Sequence, residues 1–86
     1  MKKVQGRIAE FVLDDLLFGD ETRMPAGGQS LLDSGVIDST GILELIEFLE
    51  TEFGVHVEDD ETVRENLDGI DRIAAYVARK RAASES

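Results

Sequence analysis

Apolar residues recur at helical spacing in three separate stretches of the sequence, and nowhere do they alternate with period two for long enough to build a sheet. The pattern predicts an all-α fold, a small four-helix bundle of three main helices plus a short helix three. The chain of 86 residues is expected to form one domain over residues 1–86. The predicted helices cover residues 3–17, 39–53, 59–65 and 69–81, and the tail over 82–86 is expected to fray.

The first connection is unusually long for a domain of this size. Residues 18–37 contain the single proline and four of the eight glycines, and they show no sustained periodicity. Four apolar residues near the end of this loop are nevertheless expected to enter the core: Leu31, Leu32, Val36 and Ile37. A structureless loop of about 20 residues is uncommon in a small domain and is commonly functional.

Local signals bound helix two on both sides. Asp38 is a good N-cap residue, and Gly54 is the expected left-handed residue after the last turn. The apolar side chains of this helix form one narrow stripe, which we expect to face the core: Ile42, Leu45, Ile46, Leu49 and Phe53. The opposite side of the helix is acidic and polar.

The remaining helices have weaker signals. Asp59 or Asp60 is expected to cap helix three, with Val63 facing inward. Asp68 is expected to cap the last helix, which carries a basic run in its final turn where it suits the helix dipole.

The charge of the chain is concentrated in its centre. The net charge is −10, and residues 24–63 hold ten acids without any lysine or arginine, so the nine acids and nine bases elsewhere cancel. Such a field repels nucleic acid and anionic membranes and steers basic protein surfaces toward the chain. We therefore expect protein partners and no nucleic-acid partner.

Several classes of site and location are excluded or favoured by composition. The chain has no cysteine, which excludes disulfides, thiolate metal sites and a cysteine nucleophile. Any thiol used in function must come from outside the sequence. There is no apolar run of bilayer-spanning length and no signal-peptide pattern after Met1, so a cytoplasmic protein without membrane insertion is expected. We also expect the chain to be a monomer.

Three segments carry the strongest functional signal. Residues 31–39 read Leu-Leu-Asp-Ser-Gly-Val-Ile-Asp-Ser, residues 52–55 read Glu-Phe-Gly-Val, and residues 66–73 read Asn-Leu-Asp-Gly-Ile-Asp-Arg-Ile. In this order and over nearly the whole chain, they resemble the acyl carrier and peptidyl carrier protein family. Length, acidity and the lack of cysteine agree with that resemblance.

The resemblance implies that Ser39 carries 4′-phosphopantetheine from coenzyme A and that Asp38 helps the modifying transferase and its metal to engage. The chain would hold acyl or aminoacyl intermediates as thioesters and shuttle them between enzymes of a fatty acid, polyketide or nonribosomal-peptide type of pathway. It would have no catalytic residue of its own. The first turn of helix two suits the anionic link because its backbone N–H groups are unsatisfied. Gly41 is expected to leave space beside the phosphopantetheine arm on Ser39.

The implied partners are a phosphopantetheinyl transferase, a loading ligase or acyltransferase, and synthase or tailoring enzymes with basic docking patches. Thr40 stands where the family usually has leucine, and Glu47 stands where methionine is common, so a specialised carrier is favoured over a housekeeping one. The candidate docking residues are those expected on the exposed face of helices two and three: Thr40, Leu43, Glu44, Glu47, Glu50, Asp60 and Glu61.

Other functions remain open at this point. The main alternative is an unmodified acidic helical adaptor that docks onto a basic protein. A hydrolase would need Ser39 and the single histidine, His56, in one triad, which a sequence cannot place in contact. No specific metal site is expected, because the acids of residues 58–61 lack the alternation and central glycine of an EF-hand.

The apolar residues between helices two and three allow two interpretations. Five residues could line a cavity for an acyl chain between helices two and three, or they could serve only close packing: Ile42, Ile46, Leu49, Val63 and Ala74.

Overall fold

The computed structural model describes residues 4–85, and within this range every regular element is helical. The four α-helices are α1 (Val4–Phe11), α2 (Ser39–Phe53), α3 (Arg64–Leu67) and α4 (Ile70–Glu85). A π-helical segment (Val12–Leu16) continues α1, and two short 3-10 helices cover Glu21–Arg23 and Asp59–Glu61. The radius of gyration is 12.1 Å, which matches a compact chain of this length.

The first helix is α-helical for only half of its predicted length. Ile8, Phe11 and Val12 are buried, and α1 packs chiefly against α4. The Leu17 N–H bonds the carbonyl of Val12 at 3.0 Å, an i to i+5 bond that widens the last turn. The wider turn keeps Leu17 in the core at 2% exposure and turns Phe18 outward.

Helix α2 has the predicted bounds, and both of its caps are as expected. The Asp38 side chain accepts a hydrogen bond from the Gly41 N–H, and Gly54 ends the helix at φ +68°. Leu45 and Leu49 are fully buried. Ile42, Ile46 and Phe53 are half-buried and pack against that core.

The segment between the first two helices is not structureless. It contains the 3-10 helix Glu21–Arg23, for which Asp20 is the N-cap, and a turn before α2. Leu31, Val36 and Ile37 are buried and Leu32 is half-buried, as predicted.

The prediction of one continuous helix three over residues 59–65 is wrong. The 3-10 helix Asp59–Glu61 ends at Thr62, Val63 is extended with φ −129° and ψ 159°, and α3 begins only at Arg64. Val63 is 45% exposed and so does not face inward as expected. The Glu58 N–H donates to the Glu61 carboxylate at 3.0 Å and so caps the start of the Asp59–Glu61 turn, which we call the acidic turn.

The last helix differs from its prediction at both ends. It extends to Glu85, so residues 82–85 are helical and not frayed, while Ser86 lies outside the described residues. The alanines at 82 and 83 have high helix propensity, which explains the extension. Asp68 does not cap α4, because its carboxylate accepts hydrogen bonds from Ser30 and Leu32 in the first connection.

None of the helices within residues 4–85 has both the length and the apolar character that crossing a membrane requires.

Candidate functional site

The turn before α2 points its apolar residues inward and leaves the start of the helix at the surface. The carbonyl of Leu31 accepts hydrogen bonds from the N–H groups of Val36, at 3.0 Å, and Ile37, at 3.2 Å. Gly35 has φ +77°, a conformation that side chains rarely adopt. Because Val36 and Ile37 are then held in the core, the chain emerges at Asp38.

Asp38 and Ser39 form the start of α2. The Asp38 Oδ1 accepts the Gly41 N–H at 2.8 Å, and the Asp38 carbonyl accepts the Ile42 N–H at 2.9 Å. The N–H groups of Ser39 and Thr40 have no acceptor within the helix, and the helix dipole gives this end a partial positive charge. Ser39 is exposed, and its hydroxyl makes no hydrogen bond with any residue in the range 4–85. A free hydroxyl beside unsatisfied N–H groups can accept an anionic substituent.

Gly41 has a packing role that the sequence did not reveal. A Cβ atom built on Gly41 would lie 2.7 Å from Cγ1 of the buried Ile37. Side chains are not found that close together, so glycine lets α2 lie against Ile37. The space expected beside an arm is therefore occupied by the side chain that anchors the preceding turn.

The ten acids of residues 24–63 are not equivalent, because bases from outside this segment reach some of them. Arg64 binds Asp33 at 3.1 Å, Lys80 binds Glu61 at 2.9 Å, and Arg7 binds Glu52. The acids without a cation or histidine contact among the described residues are Asp38, Glu44, Glu47, Asp59 and Asp60. Five of the seven predicted docking residues are exposed and free of such contacts: Thr40, Leu43, Glu44, Glu47 and Asp60.

Glu50 is half-buried and holds the chain that follows α2. Its carboxylate accepts the Val57 N–H at 3.0 Å and lies 3.2 Å from His56 Nδ1. The expected exposed strip on α2 therefore consists of Glu44 and Glu47, and Glu50 contributes to the fold.

Glu61 is also a structural residue, whereas its neighbour Asp60 is exposed. The Glu61 carboxylate accepts hydrogen bonds from the Glu58 N–H at 3.0 Å, Lys80 Nζ at 2.9 Å and the Tyr76 hydroxyl at 3.0 Å. The Glu58 N–H and the Lys80 ammonium lower the pKa of Glu61 to about 2. Burial and the nearby carboxylate raise the pKa of the Tyr76 hydroxyl. Together these groups fasten the acidic turn to α4.

The structure separates the two residues of the hydrolase alternative. Ser39 begins α2 and His56 follows its end, so about 20 Å of helix lies between them. His56 lies 3.2 Å from Glu50 and 3.4 Å from Glu58. Ser39 and His56 therefore cannot share a hydrogen bond. Among the described residues, no group of three or more potential ligands could hold a metal ion.

A small apolar cavity of about 160 Å³ lies between the first connection, α2 and α3. Leu32, Ile37, Ile42, Val63 and Leu67 contribute its apolar lining. Only Ile42 and Val63 belong to the five residues suggested from the sequence.

Phe18 is the functional candidate that sequence reasoning missed. It is 89% exposed, more than any other large apolar residue described. The available signal was an aromatic residue directly after the predicted end of the first helix at residue 17.

No protein-family model matches the chain, and no match is found among curated proteins.

Proposed function

We propose that this chain is a carrier protein whose Ser39 receives a 4′-phosphopantetheine arm. The arm supplies the terminal thiol that a chain without cysteine lacks, and acyl or aminoacyl intermediates are carried on it as thioesters. The carrier is itself non-catalytic and is the substrate of its partner enzymes. It serves a specialised fatty acid, polyketide or nonribosomal-peptide type of pathway as a cytoplasmic monomer.

The observation that carries this proposal is the placement of Ser39. Its hydroxyl is exposed and lacks a hydrogen bond within residues 4–85, at the first position of a fifteen-residue helix that Asp38 caps. In the proposed modification the Ser39 oxygen bonds to the phosphorus that carries pantetheine in coenzyme A. The pyrophosphate bond breaks, 3′,5′-ADP leaves, and the hydroxyl proton is lost. The unsatisfied N–H groups of the first turn favour the resulting anion.

The charge distribution supports transient docking by several enzymes. Glu44 and Glu47 are exposed and have no described cation contact, so a basic patch on a partner can approach them. Exposed ion pairs contribute about 0–1 kcal/mol each, while long-range steering raises association rates by 10-fold or more. The proposed partners are the transferase, a loading ligase or acyltransferase, and synthase or tailoring enzymes.

The decisive experiment is an intact-mass measurement. The protein is incubated with coenzyme A, magnesium and a promiscuous phosphopantetheinyl transferase, and the expected result is a gain of one phosphopantetheine group. Ser39→Ala is expected to gain none. The chain offers a matched control in Ser34, which also follows an aspartate and is exposed but lies in a turn. Ser34→Ala should gain the group as the unmodified sequence does.

A folded sample that gains no mass would contradict the carrier proposal. Circular dichroism of the same sample shows whether the helical fold is present. The acidic adaptor would then be the better description, since its docking requires no modification of Ser39.

A further inference from the structure

Neither burial nor backbone conformation explains an aromatic residue at position 18. Phe18 is 89% exposed, and its φ is +53°, the left-handed region that bulky side chains rarely adopt. Asparagine or glycine would adopt this conformation more readily. Exposed aromatic side chains are enriched where proteins contact one another.

The surroundings of Phe18 are apolar at the base and acidic at the sides. Phe18 lines a groove of about 630 Å³ between the end of the first helix and α2, with Phe11 and Phe48 among the lining residues. We call this feature the Phe18 groove. One wall carries Asp14 and Asp15, and the other carries Glu44 and Glu47. None of these four carboxylates has a cation contact with a residue in the range 4–85.

We infer that the Phe18 groove receives a basic segment of a partner protein, with Phe18 packing against an apolar side chain of that segment. Lysine or arginine side chains are the groups that complement carboxylates on both walls. The phenylalanines give the contact an apolar centre, the usual arrangement of a binding surface with a charged rim. An anionic or purely apolar occupant would leave the carboxylates without partners.

The groove leads to the start of α2. Asp15, Phe18 and Glu44 also line a second depression that extends to Asp38 and Thr40. A segment that continues from the groove into this depression would reach Asp38 and Thr40, the two neighbours of Ser39 in the sequence. Binding of a basic segment in the Phe18 groove does not depend on the proposed function. The identity of the partner as an enzyme that acts on a group attached to Ser39 does rest on it.

The test uses a defined probe, a synthetic helical peptide with lysines along one face and a single central leucine. Backbone amide shifts of the nitrogen-15-labelled protein are followed at about 0.02 M salt, where charges are weakly screened. We expect shifts at residues 14–18 and 44–52. Phe18→Asn should weaken binding at least fivefold without lowering the thermal midpoint. Replacing the leucine of the peptide by serine should weaken binding to the original protein by about the same factor as Phe18→Asn does. The affinity of the Phe18→Asn variant should change little when the peptide leucine is replaced.

The control is Val63→Asn, which removes an apolar side chain of 45% exposure that does not line the groove. It should bind the peptide with unchanged affinity. Equal binding by Phe18→Asn, or shifts centred on residues 58–61, would overturn the inference. Failure of the carrier proposal would be recognised separately, because peptide binding would persist while Ser39 gained no mass.

Discussion

Asp38 has a structural role and a proposed functional role, and one substitution can separate them. Asparagine caps helices about as well as aspartate, so Asp38→Asn should change the free energy of unfolding by less than about 0.5 kcal/mol. It removes the charge proposed to engage the transferase and its metal, and the modification rate should fall at least tenfold. Urea denaturation and timed mass spectrometry measure the two effects. Asp33→Asn is the control, because Asp33 is exposed and precedes Ser34; an equal loss of rate in this variant would contradict a specific role for Asp38.

Gly41 gives a second test at the scale of single residues. A helix interior normally favours alanine over glycine by about 1 kcal/mol. Here the new Cβ would meet Ile37 Cγ1 at 2.7 Å, so Gly41→Ala should instead destabilise the fold by about 1–3 kcal/mol. Gly28→Ala is the matched control, since a Cβ there would have no neighbour within 4 Å. Denaturation that shows Gly41→Ala to be as stable as the original sequence would refute this packing role.

The elements that were predicted correctly are those set by nearby residues. The bounds of α2 follow from Asp38 and Gly54, each acting within one turn of its own position. The same local rule predicts that Asp68 caps a helix, but the partners of its carboxylate, Ser30 and Leu32, lie more than 30 residues away in the sequence. Glu61, in the acidic turn, likewise has distant partners, because its carboxylate accepts hydrogen bonds from Tyr76 and Lys80. Contacts between residues so far apart in the sequence leave no periodic pattern from which they could be predicted.

The acidic turn and α4 form a unit whose stability depends on pH. The pKa of Glu61 is lowered from 4.5 to about 2 in the folded protein, so its charged form favours folding. This contribution is complete above the unfolded value and is lost as the pH falls through the folded value. The fall in thermal midpoint between pH 6 and about 2 should therefore be smaller for Glu61→Gln than for the original sequence.

The control for this titration is Asp60→Asn. Asp60 belongs to the same turn and is exposed, but its carboxylate has no described hydrogen bond. The variant should keep the pH dependence of the original protein. If the thermal midpoint of Glu61→Gln falls with pH in parallel with that of the original protein, the Lys80 and Tyr76 contacts do not make stability depend on the charge of Glu61.

At the scale of the whole molecule, the fold divides the acids of residues 24–63 into two groups. One group contacts bases from elsewhere in the chain, and the other has no such contact among the described residues. Arg7, Arg64 and Lys80 reach carboxylates from outside the segment and help hold the elements together. Around the start of α2, Glu44 and Glu47 have no such contact with the described residues. The sequence showed where the acids are concentrated. Only the folded arrangement distinguishes the acids available to a partner from those used in the fold.

Because the two groups of acids differ in their contacts, we expect the effect of a charge reversal on docking to depend on where the reversed residue lies. Glu47→Lys should lower the kcat/KM of transferase modification several-fold, because it weakens steering of a basic surface toward α2. Glu21→Lys changes the net charge equally but lies on the 3-10 helix of the first connection, so its effect should be small. Both variants should keep the thermal midpoint. The difference should narrow at about 1 M salt, where the screening length is roughly 3 Å. Equal kinetics for the two variants at low salt would mean that net charge, and not the exposed face of α2, guides the encounter.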